Sequence, residues 1–218
     1  MLLKELREKV HYYCMCLVTH ELGHGSQGNI SALDPETGLI AIKPSAINYD
    51  VLKPEDICVV DKYGKHVEGK WKSTSETPMH TIFYRSRPDV GAVIHAHAPY
   101  TTVFGVINEP IPPILTEAST CIGGPVRVAA YKRPGTDELA EDALKEMGKD
   151  VCIILAHHGL LAVGADLEKA FDTILAVETS ARLVIMARSM GANVNTVAQS
   201  EIDVLRNMYL EKYHPYTA

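Results

Sequence analysis

The segment Val93-Ile94-His95-Ala96-His97-Ala98 constrains this chain more than any other. It is an apolar run broken by imidazoles at i and i+2. It reads as a strand, and on a strand both rings point to one side of the sheet. Two neutral imidazoles converging from one strand are two thirds of a catalytic metal site, which takes three protein ligands and leaves a position open. A strand with two incidental histidines would carry the same pattern. The choice turns on whether the chain also supplies a third ligand, an acid or base, and a place for substrate.

Bulk properties narrow the class. The chain has 218 residues, and one domain per ~100–200 residues is usual, so a single domain spanning residues 1–218 is expected. A formal net charge of −6 argues against a binder of nucleic-acid backbones, which would show a basic patch or stripe. No apolar run approaches the ~20 residues needed to span a bilayer, and the charged, leucine-bearing N-terminus lacks a signal-peptide core. Cys14, Cys16, Cys58, Cys121 and Cys152 are odd in number and scattered through apolar segments. They read as reduced and buried thiols of a cytoplasmic protein. On a helix, Cys14 and Cys16 point to different faces, which argues against a metal site there.

Leu3, Leu6, Val10, Cys14 and Leu17 recur at three- and four-residue steps and predict an amphipathic first helix. Short strands and hairpins follow over residues 29–33, 38–42, 56–61 and 65–69. A hydroxyl-rich start with Pro78 opens a helix that stops before Pro88. Beyond the His-x-His strand, Thr136 caps a helix over 137–148, residues 151–156 form an apolar strand, and Asp166 caps the longest helix. Helices interrupt strands without strict βα alternation, which predicts a mixed sheet covered by helices on both faces.

Three further groups carry chemistry. His157-His158 closes the apolar strand before Gly159 and offers a third ligand. The two alternate in direction, and the pattern leaves open which of them turns toward His95 and His97. Glu76 fits two roles equally. It completes a Ser73-x-x-Glu76 capping box, or it is a carboxylate beside the metal that ligates it at rest and takes a proton when substrate displaces it. The loop Gly25-Ser26-Gln27-Gly28-Asn29 can wrap backbone N–H groups around a phosphate. Lys43, Ser45, Thr74 and Ser75 add a cation and hydroxyls, so the set suggests a phosphorylated small molecule.

Gly28-Asn29-Ile30-Ser31, Lys43-Pro44-Ser45, Ser75-Glu76-Thr77-Pro78-Met79-His80, Arg87-Pro88-Asp89, His95-Ala96-His97 and His158-Gly159 occur in the order and approximate spacing of the class II aldolase/adducin family. The resemblance spans nearly the whole chain. It implies a three-layer α/β/α sandwich with a mixed, largely antiparallel sheet, a homotetramer, and Zn2+ held by His95, His97 and His158 with Glu76 beside it. It implies that Gly28, Asn29, Ser45, Thr74 and Ser75, with Lys43 nearby, hold substrate phosphate, and that Tyr216 closes over the site. The reaction it implies is metal-assisted retro-aldol cleavage of a (deoxy)ketose 1-phosphate, such as L-fuculose 1-phosphate or a 5-deoxypentulose 1-phosphate. The products are dihydroxyacetone phosphate and a short aldehyde, and Glu76 is the acid/base.

One departure concerns the aldehyde end of the substrate. Glu117 stands where the aldolase pattern has a tyrosine, and it is a candidate proton donor to the aldehyde oxygen. Two other chemistries use the same family frame: L-ribulose-5-phosphate 4-epimerisation, whose enzymes usually carry Asp where Glu76 stands, and dehydration of a methylthioribulose 1-phosphate. An adducin-like scaffold without catalysis would not need the three histidines and Glu76.

Overall fold

A computed structural model describes residues 1–212, so Tyr216 lies outside the described residues. In chain order the elements are α1 (Lys4–Thr19), β1 (Asn29–Leu33), β2 (Ile40–Ile42), β3 (Cys58–Val60), β4 (His66–Glu68), α2 (Thr77–Ser86), β5 (Ala92–Ala96), α3 (Pro99–Ile107), α4 (Thr116–Ile122), β6 (Val128–Ala129), α5 (Asp137–Met147), β7 (Cys152–Leu155), β8 (Gly159–Gly164), α6 (Leu167–Ser189) and α7 (Gln199–Lys212). The strands form one sheet in the order β4-β3-β2-β1-β5-β8-β7-β6. Among the described residues, only β6 and β7 pair in parallel. This is the mixed, largely antiparallel sheet expected.

Alternation along the strands splits the core in two. Ile30, Ala32, Ile94, Ala96, Leu160 and Ala162 pack toward α1 and α6, against Val10, Cys14, Leu17, Ile174 and Val177. Val93, Ile153, Leu161 and Val163 face the other way, against Met79 and Phe83 of α2 and Leu139 and Ala143 of α5. Each large apolar side chain so buried contributes about 1.5–3 kcal/mol. On β5, His95 has the parity of Val93 and not of Ile94, so its ring must project to the α2 side. The core decides the direction of the histidines before any metal does.

The helix caps form where their residue types predict. Thr136 accepts from Leu139 N–H at 3.2 Å and Asp166 from Lys169 N–H at 2.8 Å. Two helices and one strand are additions to the sequence reading. α3 opens on Pro99, a good first-turn residue, but its apolar sequence has no polar face to betray a period. α4 ends on Gly123 at φ 89°. β8 continues the apolar strand of β7 after a tight turn, pairing Leu155 with Gly159 and Ile154 with Leu160. The turn residue in left-handed conformation is His157, at φ 57°, where a glycine or asparagine would ordinarily mark the turn. All five cysteines are free thiols, three of them buried. Among the described residues, no helix is long and apolar enough to cross a membrane.

Candidate active site

The site forms where the C-terminal end of β5 meets the start of β8, the start of β1 and the N-terminus of α2. His95 is fully buried. Its Nδ1 lies 3.0 Å from the Leu160 carbonyl. A carbonyl only accepts, so Nδ1 carries the proton and Nε2 is left with its lone pair. His97 follows directly, its backbone N–H fixed on the Leu22 carbonyl at 2.9 Å. The left-handed turn at His157 resolves the His157-His158 alternative. His157 is exposed, its ring 6.2 Å from that of Tyr131, and His158 swings inward. The ring centroids of His158 lie 4.5 Å from His95 and 5.2 Å from His97. One ring nitrogen from each of the three falls within 4.8 Å of the others. The His158 side chain keeps 12% of its surface exposed, so the cluster opens to solvent on that side.

Gly159 makes this approach possible. A Cβ there would sit 2.4 Å from the Ala96 carbonyl oxygen and 3.2 Å from Cε1 of His95. Gly28 plays the matching role on the other flank. Its φ is +75°, and a Cβ would meet the His95 carbonyl oxygen at 2.9 Å.

Glu76 occupies the N-cap position of α2 but makes no side-chain cap there. The capping-box reading of Ser73 and Glu76 is therefore corrected: the carboxylate leaves its own helix and crosses to the sheet. Oε2 accepts from Asn29 Nδ2 at 2.8 Å and lies 3.5 Å from His95 Nε2. Oε1 lies 3.4 Å from His158 Nε2. Burial alone would raise the Glu76 carboxyl, but positive charge on the His95 ring when it is protonated, and the Asn29 amide, act against burial and hold Glu76 below the usual carboxylate range. Burial pushes His95 down to about 3 and lowers His97 as well. At neutral pH the His95 ring is therefore uncharged, and the Asn29 amide remains the donor to the carboxylate.

That donor set fits a divalent cation. Oε1 of Glu76, Nε2 of His95 and Nδ1 of His158 are buried without a hydrogen-bond partner. Leaving a buried polar atom unsatisfied costs about 1–3 kcal/mol, and here two such atoms, Glu76 Oε1 and His95 Nε2, are acceptors in one site. Three imidazole nitrogens and a carboxylate are the ligand types that borderline divalent metals such as zinc take.

Next to this cluster lie the residues picked out for phosphate. Lys43 is buried, with Nζ donating to the Ser26 carbonyl at 3.0 Å and lying 4.8 Å from the Tyr49 ring centroid. Burial lowers its pKa. Its backbone carbonyl accepts from Thr74 N–H at 3.1 Å, and Pro44 bridges to Ser73. The glycine loop, the Lys43–Ser45 segment and the Thr74–Ser75 segment are thereby tied together beside Glu76. Ser45 is half-buried and Ser75 exposed. Asn29 turns its amide to Glu76 and to His80, so its side chain is already committed within the protein.

Glu117 is not brought to the histidines. It is exposed in the first turn of α4, among Asp172, Leu175, Ala176 and Thr179 of α6. That is the side of the sheet opposite to the one His95 faces. A group to which the sequence assigns no separate role lies beneath the site: His80, Ser31 and Tyr84, hydrogen-bonded in series behind Asn29. The spacing of 76, 80 and 84 along one side of a helix was the available signal.

The family described as Class II Aldolase and Adducin N-terminal domain matches residues 8–185. The chain is 35% identical over 192 residues to a 5-deoxy-D-ribulose 1-phosphate aldolase of Bacillus thuringiensis serovar kurstaki, covering 88% of this chain and 89% of that one. It is 35% identical over 203 residues to an L-fuculose phosphate aldolase of Escherichia coli O6:H1, covering 93% and 91%. Among solved structures, an L-fuculose 1-phosphate aldolase superposes with a TM-score of 0.90 at 35% identity, covering 94% of this chain and 96% of the other.

Proposed function

This chain belongs to the class II aldolase and adducin family and is an aldolase, a carbon–carbon lyase; from that premise we propose that it cleaves a (deoxy)ketose 1-phosphate to dihydroxyacetone phosphate and a short aldehyde, with zinc as its metal. The observation that carries this reading is the convergence of ring nitrogens from His95, His97 and His158 within 4.8 Å of one another, beside a Glu76 oxygen and a His95 nitrogen that are buried without a partner. The names of the relatives support the substrate class. L-Fuculose 1-phosphate and a 5-deoxypentulose 1-phosphate are the candidate substrates.

A divalent cation held by the three histidines, with Glu76 beside it, supplies Lewis acidity toward the carbonyl and neighbouring hydroxyl of the ketose. The remaining work falls to the chain's own groups. Gly28, Ser45, Thr74 and Ser75 hold the phosphate, with Lys43 bracing the glycine loop through the Ser26 carbonyl. Asn29, matched to the same phosphate set, would contribute through its backbone. In the condensing direction, ionised Glu76 takes the proton from the hydroxymethyl carbon of dihydroxyacetone phosphate. In the cleaving direction it returns that proton to the same carbon of the enediolate, which bears charge only along the reaction path. A separate group must exchange the proton of the aldehyde oxygen. Glu117 and Tyr216 are its candidates, and Glu117 would reach the site from a neighbouring copy.

A homotetramer in the cytoplasm is part of the proposal. Val103, Val106 and Ile107 on the outer face of α3, with Met186 on α6, are 42–55% exposed, an apolar surface suited to a subunit contact. The test is incubation of the zinc-loaded protein with dihydroxyacetone phosphate and a panel of short aldehydes. Formation of a ketose 1-phosphate supports the reading, and the preferred aldehyde names the substrate. No condensation with any aldehyde, alongside turnover of a ribulose 5-phosphate, would replace it with the epimerase.

A further inference from the structure

The geometry points to His80 as a positioning residue that fixes, through Asn29, which oxygen of Glu76 exchanges the proton. This positioning role rests on the proton transfer proposed for Glu76. Glu76, His80 and Tyr84 fall at i, i+4 and i+8 down one side of α2, facing Asn29 and Ser31 at i and i+2 on β1. Between them runs one continuous buried series. Glu76 Oε2 is 2.8 Å from Asn29 Nδ2, Asn29 Oδ1 is 2.5 Å from His80 Nε2, His80 Nδ1 is 2.7 Å from Ser31 Oγ, and Ser31 Oγ is 2.7 Å from Tyr84 Oη.

The direction of every bond follows from the first. An ionised carboxylate only accepts, so Asn29 must present its NH2 to Glu76. Its Oδ1 then faces His80 and also only accepts, so His80 carries its proton on Nε2. His80 Nδ1 is left with a lone pair and accepts from the Ser31 hydroxyl. That hydroxyl has one proton, already given to His80, so it accepts from the Tyr84 phenol. His80 and Ser31 are fully buried, and water cannot substitute for a missing partner. A satisfied buried network of this kind admits one arrangement.

The consequence lies at Glu76. Oε2 is pinned by a donor and is a poor place for a second proton. Oε1 has no partner and faces His158. The transferred proton therefore resides on Oε1, the oxygen turned toward His158. Removing the His80 donor frees the Asn29 amide to turn over and set its own oxygen against Oε2, which disorders the carboxylate without touching the substrate.

The test pairs two readouts. In 15N-labelled wild-type protein, long-range 1H–15N spectra report the His80 tautomer, assigned by its loss in His80→Gln, and Nε2–H is expected. In steady-state cleavage, His80→Leu should lower kcat about 10–100-fold, the usual scale for groups that orient an active-site ligand, while KM for the phosphorylated substrate stays unchanged. His80→Gln, whose amide can both donate to Asn29 and accept from Ser31, should recover part of the loss. An Nδ1–H tautomer overturns the proposal, as does wild-type kcat in His80→Leu or no recovery in a folded His80→Gln. The tautomer is read without substrate and without a variant fold, so it decides even if His80→Leu does not fold. A wild-type protein inactive on every ketose phosphate would sink the proposed reaction and leave the tautomer to be judged separately.

Discussion

The Nε2 atom of His95 lies 3.5 Å from Oε2 of Glu76, while the opposite ring nitrogen of His95 is committed to the Leu160 carbonyl. A lone pair therefore faces a carboxylate in a buried site, and the contact is repulsive until a cation stands between or beside them. Stability should accordingly follow metal occupancy. A ligand that binds only the folded state at 100 times its Kd stabilises by about 2.7 kcal/mol, or roughly 5–10 °C in Tm for a chain of this length. Thermal melts of the protein stripped by a chelator and then titrated with zinc should climb by that amount once free zinc reaches about 100 times its Kd, and go on rising with the logarithm of free zinc. A melt indifferent to zinc would mean that the cluster holds no metal.

Replacement of Gly159 with alanine tests how His158, the proposed third ligand, is held. The added Cβ would stand 2.4 Å from the Ala96 carbonyl oxygen, so β8 must draw back from β5 and take His158 with it. Overpacking of this sort costs about 1–3 kcal/mol. Zinc affinity, measured by competition with a chromogenic chelator, should fall more steeply than Tm. Equal zinc affinity in Gly159→Ala would show that His158 is placed independently of the strand contact.

At the far edge of the sheet, Arg7 is almost fully buried and pairs with Glu68 at 2.6 Å. Burial alone would raise Glu68, but the Leu2 backbone N–H and the Arg7 guanidinium outweigh it and depress the carboxyl. A depressed acid stabilises the fold above its unfolded pKa of about 4.3, and the contribution is lost as pH falls through the lower folded value. Glu68→Gln should thus melt earlier than wild type at pH 7, and the gap should narrow on acidification toward pH 3. A gap that widens in acid would reverse the sign.

Much of the site is legible in the chain, and the exceptions have physical causes. Period-two spacing places His95 and His97 on one face because β5 is buried on both sides and its parity cannot slip. The choice of His158 over His157 is invisible to spacing, because it depends on a non-glycine residue adopting φ 57°. Glu76 reads equally as cap and catalyst, since the N-cap position that points a carboxylate at its own helix can also aim it at a neighbouring strand. Asn29 reads as a phosphate ligand, while its amide is spent on Glu76 and His80. The position of Glu117 follows from α4 packing on α6, a tertiary contact with no local sequence signature.

Glu76 is proposed to move the proton at the carbon that forms the new bond. The most direct measurement of that step is the incorporation of deuterium from D2O into dihydroxyacetone phosphate, followed by NMR with the zinc-loaded protein and no aldehyde present. Wild type should exchange one hydrogen of the hydroxymethyl group stereospecifically. Glu76→Gln, with zinc still bound, should slow that exchange by about 10²–10⁴-fold, the range associated with loss of a general base. Exchange at the wild-type rate in zinc-bound Glu76→Gln, or none in the wild type, would contradict the account.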